Sequence, residues 1–128
     1  MKTKYLVTGA AGFIGANFVK HLIDTYHDDI EILILDALTY AGNLMTIEKE
    51  LQLPNVKFVK GDIGDKELVE KLIAEFDPNY VVNFAAESHV DRSITNPRLF
   101  LETNILGTHT LLDACRKAWR KADGSWRD

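Results

Sequence analysis

A short apolar run, Tyr5-Leu6-Val7, passes directly into Thr8-Gly9-Ala10-Ala11-Gly12-Phe13-Ile14-Gly15, after which the apolar residues switch to helical spacing. This junction constrains the fold more than any other feature of the chain. Ile14, Phe18, Val19, Leu22 and Ile23 share one face of a helix expected over Phe13 to Tyr26. A strand that turns at once into a helix is the first half of a right-handed crossover to a parallel neighbour. The glycines follow G-x-x-G-x-x-G, and each position has a physical use. Gly9 lets the chain turn sharply off the strand. Gly12 lets the backbone approach a pyrophosphate with no Cβ in the way, and Gly15 lets the helix pack close to the sheet. The free N–H groups and dipole of the helix start then favour an anion by about 0.3–2 kcal/mol. Glycines in such a position also serve simply to make the turn, so context has to decide between the two uses.

The rest of the chain supplies that context. Ile30 to Leu35 is almost wholly apolar and ends on Asp36, the mark of a strand covered on both faces. A helix is expected around Leu44 to Leu53, before Pro54 breaks it. Val56 to Val59 forms a third strand ending at Gly61-Asp62. Leu68, Val69, Leu72, Ile73 and Phe76 make a second helical stripe, closed by Asp77-Pro78. Tyr80 to Ala85 is a fourth strand, Asn96-Pro97 opens a last helix, and from Lys117 the chain turns polar and is expected to be a loop. Strands alternating with helices at this spacing predict the α/β class, a Rossmann-type doubly wound parallel sheet. About four strands with flanking helices make up its N-terminal half, and the sequence is expected to stop short of a fifth.

Asp36 lies roughly 20 residues beyond Gly15, the interval expected for a carboxylate that accepts the hydroxyls of an adenosine ribose. Charged hydrogen bonds of that kind contribute about 1.5–3 kcal/mol each. A 2′-phosphate there would meet a like charge, so NAD is favoured over NADP. After the third strand, Asp62 is placed to take the adenine amino group while Ile63 packs on its ring. Alone, Asp36 is equally a solvated strand-end acid and Gly61-Asp62 a turn. Together with the glycine turn they line one edge of the sheet, at the strand ends where ligands bind in such folds.

Composition narrows the remaining classes. A 128-residue chain that is 46% hydrophobic and 27% charged has material for one domain with a core. A net charge of -4 without a basic stripe argues against nucleic acid or an anionic membrane as partner. Cys115 is the single cysteine, so an internal disulfide is impossible, and its apolar helical surroundings suggest a buried structural thiol. No apolar run approaches the ~18 residues of a membrane span, and the first residues are too short of apolar length for a secretory signal. The expected compartment is the cytoplasm. His21, His27 and His109 show no metal spacing, and a solvated loop or local ion pair accounts for His89, Asp91 and Arg92.

The run from Thr8 to Gly15 resembles the N-terminal signature of the extended short-chain dehydrogenase/reductase family. Two further stretches are similar to its dTDP-glucose 4,6-dehydratase branch. They are Asp36-Ala37-Leu38-Thr39-Tyr40-Ala41-Gly42-Asn43 and Asn83-Phe84-Ala85-Ala86-Glu87-Ser88-His89-Val90-Asp91-Arg92-Ser93. The resemblance covers the whole chain but only the front of a family enzyme, implying one incomplete NAD-binding domain over residues 1–128 without the substrate domain. It further implies NAD contacts from Phe13 and Ile14, from Asp36, Ala37, Leu38 and Thr39, and from Asp62 and Ile63. Phe84, Ala85, Ala86, Glu87, Ser88 and Thr103 complete the set, and Ser88 would also reach a dTDP-glucose-type sugar nucleotide. Ala85 and Ala86 serve equally well for tight helix-to-sheet packing. Thr103 and Gly107 share a helical face suited to close approach of the cofactor or of another helix.

In the family, a tyrosine four residues before a lysine abstracts the sugar hydroxyl proton, and dehydratases add a Thr-Asp-Glu run. Neither is present here, so no catalytic residue is assigned. The parent reaction that the resemblance implies oxidises C4 of dTDP-glucose with NAD, eliminates water across C5–C6 and returns hydride to C6. The product is dTDP-4-keto-6-deoxyglucose, on the way to deoxysugars. A related sugar-nucleotide epimerase or dehydratase, or a non-catalytic dinucleotide-binding module, remains an alternative. Tyr80, Val81, Val82 and Phe84 are expected at an apolar sheet edge. Phe100, Leu101, Ile105, Leu112, Cys115 and Trp119 carry more apolar surface than one sheet face needs, which by the resemblance implies a homodimer through the last helix.

Overall fold

The computed structural model describes residues 2–38, 44–85 and 94–127, with the side chain of Leu44 left aside. Its strands are β1 (Thr3–Thr8), β2 (Ile30–Asp36), β3 (Val56–Lys60) and β4 (Tyr80–Asn83), in the order β3-β2-β1-β4. All three neighbouring pairs are parallel, with Thr8 opposite both Leu35 and Asn83, and Asp36 opposite Lys60. This is the doubly wound arrangement that the alternating pattern predicts.

Period-two alternation sends successive side chains to opposite faces, and each face has its own core. Val7, Ile32 and Ile34 pack with Ala16, Val19 and Leu22 of α1 (Phe13–Tyr26) and with Ile47. Leu6, Leu33 and Leu35 pack on the other face with Val69 and Ile73 of α3 (Lys66–Phe76) and with Leu111, Ala114 and Cys115 of α5 (Thr108–Trp119). β2 is buried along nearly its whole length, as its apolar sequence requires. β4 pairs with β1 alone among the described residues. Its Tyr80 is exposed but stacks on Tyr5, ring centroids 5.1 Å apart, while Val81, Val82 and Phe84 are half-buried.

Four boundaries differ from the sequence expectation. β1 begins at Thr3, two residues before the apolar run, because Thr3 and Lys4 pair with Ile30 and Glu31 of β2; the Lys4 N–H also donates to Asn79 Oδ1 at 2.8 Å. The helix expected at Leu44 to Leu53 is a 3₁₀ turn (Leu44–Ile47) running into a short α2 (Glu48–Leu51). Its end is tightened by Gln52 and Leu53 N–H groups bonding to carbonyls three residues back. β4 stops at Asn83 because the Asn83 side chain takes the Ala85 N–H at 3.0 Å and bends the chain out of the ladder. The last helix is α4 (Pro97–Leu101), a π-helical stretch (Glu102–Gly107) and then α5. It runs past Lys117 to Trp119, and the polar residues beyond form a closed turn in which Arg127 N–H returns to Trp119 O at 2.9 Å. The Arg127 guanidinium is held by the Asp77 carboxylate and by Pro78 O.

Cys115 is 7% exposed, and burial pushes its thiol up to about 11. A neutral thiol is thus favoured by folding, so its contribution to stability holds up to the ordinary thiol range near about 8.5 and is lost as pH rises toward 11. At neutral pH, a disulfide-exchange reagent is expected to modify Cys115 only on unfolding. Rapid stoichiometric labelling of the native protein would contradict this.

No helix among the described residues is long and apolar enough to cross a membrane.

Candidate functional site

The turn after β1 is built around two glycines that the protein's own packing demands. Gly9 has φ 73°, and a Cβ there would lie 2.5 Å from Ala85 N and 2.6 Å from the Phe84 carbonyl carbon. It is the crossing point of the β1 and β4 exits. A Cβ on Gly15 would sit 2.4 Å from Gly9 O and 2.8 Å from Ala10 Cα. The close packing expected of Gly15 is therefore against the turn itself, more than against the sheet.

Gly12 is different. It caps α1 in an extended conformation, and a Cβ there would meet only Gly9 O, at 3.4 Å. That is ordinary contact, so nothing among the described residues excludes a side chain. The helix it opens has no side-chain cap and no acid in its first turn. The N–H groups of Phe13, Ile14 and Gly15 have no partner among the described residues. α3 contrasts with this: Asp65 accepts from Leu68 N–H at 3.2 Å and Glu67 lies in the first turn. Phe13 and Ile14 are 83% and 66% exposed, so the turn is not filled by its own large side chains.

Asp36, 8% exposed at the end of β2, faces this turn. One carboxylate oxygen accepts the Ala11 N–H at 2.9 Å and the other accepts the Leu38 N–H at 2.7 Å. The carboxylate therefore clamps the glycine turn to β2, a role that the sequence does not announce. An ionised carboxylate offers about four acceptor positions, so both oxygens retain capacity for a ligand hydroxyl. Ala37 is half-buried, and Leu38 has φ 54°, a left-handed conformation that costs a residue with a Cβ about 1–2 kcal/mol. Thr39 lies outside the described residues.

At the end of β3, Asp62 is exposed and its Oδ1 accepts the Gly64 N–H at 2.7 Å. Ile63 is 3% exposed and belongs to the α3–α5 core, so its side chain serves packing in place of an open face. At the end of β4, the Phe84 ring packs on Phe18 of α1 at 5.3 Å between centroids, while Ala85 packs on the opposite face. Asn83 joins the site as a residue that the sequence left unmarked, accepting from Thr8 Oγ1 as well as from Ala85 N–H. Thr103 is half-buried in the π-helical stretch. Ala86, Glu87 and Ser88, with His89, Asp91 and Arg92, lie outside the described residues. His21, His27 and His109 are exposed.

The glycine turn, Asp36, Asp62 and Phe84 thus follow the ends of β1, β2, β3 and β4 along one edge, with β1 and β4 flanking the point where strand order reverses. A depression of about 410 Å³ lined by Lys2, Lys4, Glu31 and Asp77 lies at the opposite, amino edge, where parallel sheets of this kind do not place their ligands.

The family model described as GDP-mannose 4,6 dehydratase matches residues 6–125. The chain belongs to this family. Within it, the chain is a homologue of dTDP-glucose 4,6-dehydratases. One from Xanthomonas campestris pv. campestris (strain B100) is 51% identical over 124 residues, covering 97% of this chain and 34% of the relative. The dTDP-glucose 4,6-dehydratase DesIV of Streptomyces venezuelae, solved with NAD bound, matches with a TM-score of 0.83 and 44% identity over 91% of this chain and 36% of that one. A UDP-glucose 4-epimerase of Thermus thermophilus, also solved with NAD, shares 37% identity at a TM-score of 0.77, over 91% of this chain and 34% of that one. The chain spans about a third of the length of the curated relatives it matches, and corresponds to their N-terminal portion.

Proposed function

We propose that the carboxyl-edge site binds NAD and that residues 1–128 are the NAD-binding part of a dTDP-glucose 4,6-dehydratase acting in the cytoplasm. The observation that carries this is Gly12: a glycine with room for a Cβ, at the start of a helix whose first amides are unclaimed. Among the described residues nothing requires a bare backbone there, which suits the close approach of a ligand. The Phe13 and Ile14 amides would receive the pyrophosphate. The outer lone pairs of Asp36 would accept the adenosine ribose hydroxyls and repel a 2′-phosphate, and Asp62 would meet the adenine. Bound NAD supplies a hydride acceptor and donor, and the residues described here hold and orient it. The sugar nucleotide, reached through Ser88, and the dehydration of dTDP-glucose belong to the whole protein. The likeness to an NAD-bound UDP-glucose 4-epimerase keeps a second reading, an epimerase of the same family, with the same cofactor role.

Titration calorimetry is expected to show binding of NAD and binding of NADP at least about tenfold weaker, the cost of a like charge beside Asp36. Absence of heat with NAD, or equal affinity for the two, would sink the assignment of this edge.

We also propose that the last helix carries a homodimer contact, on the part of the apolar stripe that stays exposed. Cys115 and Trp119 pack into the α3–α5 core, whereas Leu101, Ile105 and Leu112 are 54%, 59% and 65% exposed. Leu112→Asp is expected to halve the mass seen by light scattering. A mass that stays the same in wild type and variant would remove this helix as the contact.

A further inference from the structure

Gly107 is the one glycine inside the last helix, and its environment explains it. A Cβ there would lie 2.8 Å from Ile63 Cγ1 and 2.9 Å from Ile63 Cδ1, with Glu102 O at 3.2 Å. Ile63 therefore sits in a slot that exists only because residue 107 has no side chain. Ile63 is itself the second residue of a tight turn. Within that turn Gly64 N–H donates to Asp62 Oδ1 at 2.7 Å and Asp65 N–H to Asp62 O at 3.0 Å. The turn is held from one side by α3, which Asp65 caps, and from the other by Ile63 in its slot. Between these two anchors, Asp62 has its carboxylate fixed at the end of β3.

We propose that Gly107 is a positioning residue for the adenine end of the site: by admitting Ile63 it sets where the Asp62 carboxylate meets the adenine amino group. This rests on the NAD assignment above and goes beyond it, because it makes nucleobase choice depend on a helix residue that acts through Ile63. The Ile63 side chain acts as an anchor under the helix, and the Asp62 carboxylate is the group that meets the base. A methyl group at position 107 is too close to the present Ile63 side chain, which must shift; loosening that anchor frees the turn that carries Asp62.

Nicotinamide hypoxanthine dinucleotide tests this, because it is NAD with a ring carbonyl where the adenine amino group stands. Its ring nitrogen beside that carbonyl also carries a hydrogen, so it alters the base edge that the Asp62 turn meets and leaves the ribose and pyrophosphate contacts in use. Calorimetric affinities for the two dinucleotides are expected to differ by about tenfold in the wild-type protein, NAD being the tighter. In Gly107→Ala the ratio is expected to fall to about twofold or less. In Asp62→Ala the preference is expected to vanish, and adding Gly107→Ala to that variant changes the ratio no further. Ile63→Val, which loosens the anchor without a clash, is expected to lower the ratio in the same direction and serves if Gly107→Ala does not fold. A purely structural role would reduce melting temperature and the bound fraction while leaving the ratio of affinities intact. That result, or a wild-type ratio near one, overturns the proposal and leaves the cofactor site standing. No binding of NAD to the wild-type protein overturns both.

Discussion

Gly9→Ala is expected to lower the melting temperature by about 10 °C or more, roughly 3 kcal/mol of stability. Two separate penalties combine. The backbone at φ 73° is left-handed, which costs alanine about 1–2 kcal/mol. The new Cβ would also stand 2.5 Å from Ala85 N and 2.6 Å from the Phe84 carbonyl carbon, neither of which can rotate aside as a side chain would. Phe84 N–H is bonded to Thr8 O at 2.9 Å and Ala85 N–H to Asn83 Oδ1 at 3.0 Å, so relief requires the ends of β1 and β4 to part. Thermal unfolding followed by circular dichroism measures the effect. A loss below about 1 kcal/mol, a routine surface value, would mean that the exit of β4 does not cross the turn at this distance.

Gly12→Ser is expected to do the reverse: to leave stability unchanged or raise it by a few tenths of a kcal/mol, and to weaken NAD binding at least about tenfold. Gly12 already has the extended backbone of a helix cap, with φ -80° and ψ 172°. A serine there would supply the missing cap, its hydroxyl accepting from an amide of the first turn. The amide that gains this partner is lost to an incoming pyrophosphate, and the Cβ stands between phosphate and backbone. Stability and affinity then move in opposite directions, as they do when a protein leaves a local defect in place for a ligand. If the serine variant bound NAD as tightly as the wild type, the anion would have to be held elsewhere.

The periodic parts of the fold were legible because burial on both faces leaves a mark in the sequence. The nearly continuous apolar run of β2 and the stripes of α1 and α3 needed no tertiary information. What escaped depends on side chains that compete with the backbone or on contacts distant in sequence. The end of β4 turns on one Asn83 amide oxygen, and the length of the last helix turns on a π-helical stretch whose Gly107 faces Ile63. At the candidate site, the three glycines of the turn and the two strand-end acids were visible, since their spacing carries the geometry. Their separate uses follow from their places in the pattern, and among the described residues a Cβ has room at Gly12 but not at Gly9 or Gly15. What Gly15 packs against, the turn more than the sheet, depends on a contact the pattern does not carry. Ile63 was expected beside a ring, and its side chain lies in the core.

The two amides gripped by Asp36 have a bearing on how such proteins diverge. If Asp36 meets the adenosine ribose as proposed, a lineage drifting toward the phosphorylated dinucleotide must discard the negative charge at position 36, yet the same carboxylate fastens Ala11 and Leu38. An asparagine keeps one acceptor oxygen and strands one of those N–H groups, at about 1–3 kcal/mol. Coenzyme preference is therefore tied to the integrity of the loop, and a switch is accessible only alongside a second substitution that supplies the orphaned amide with a new acceptor.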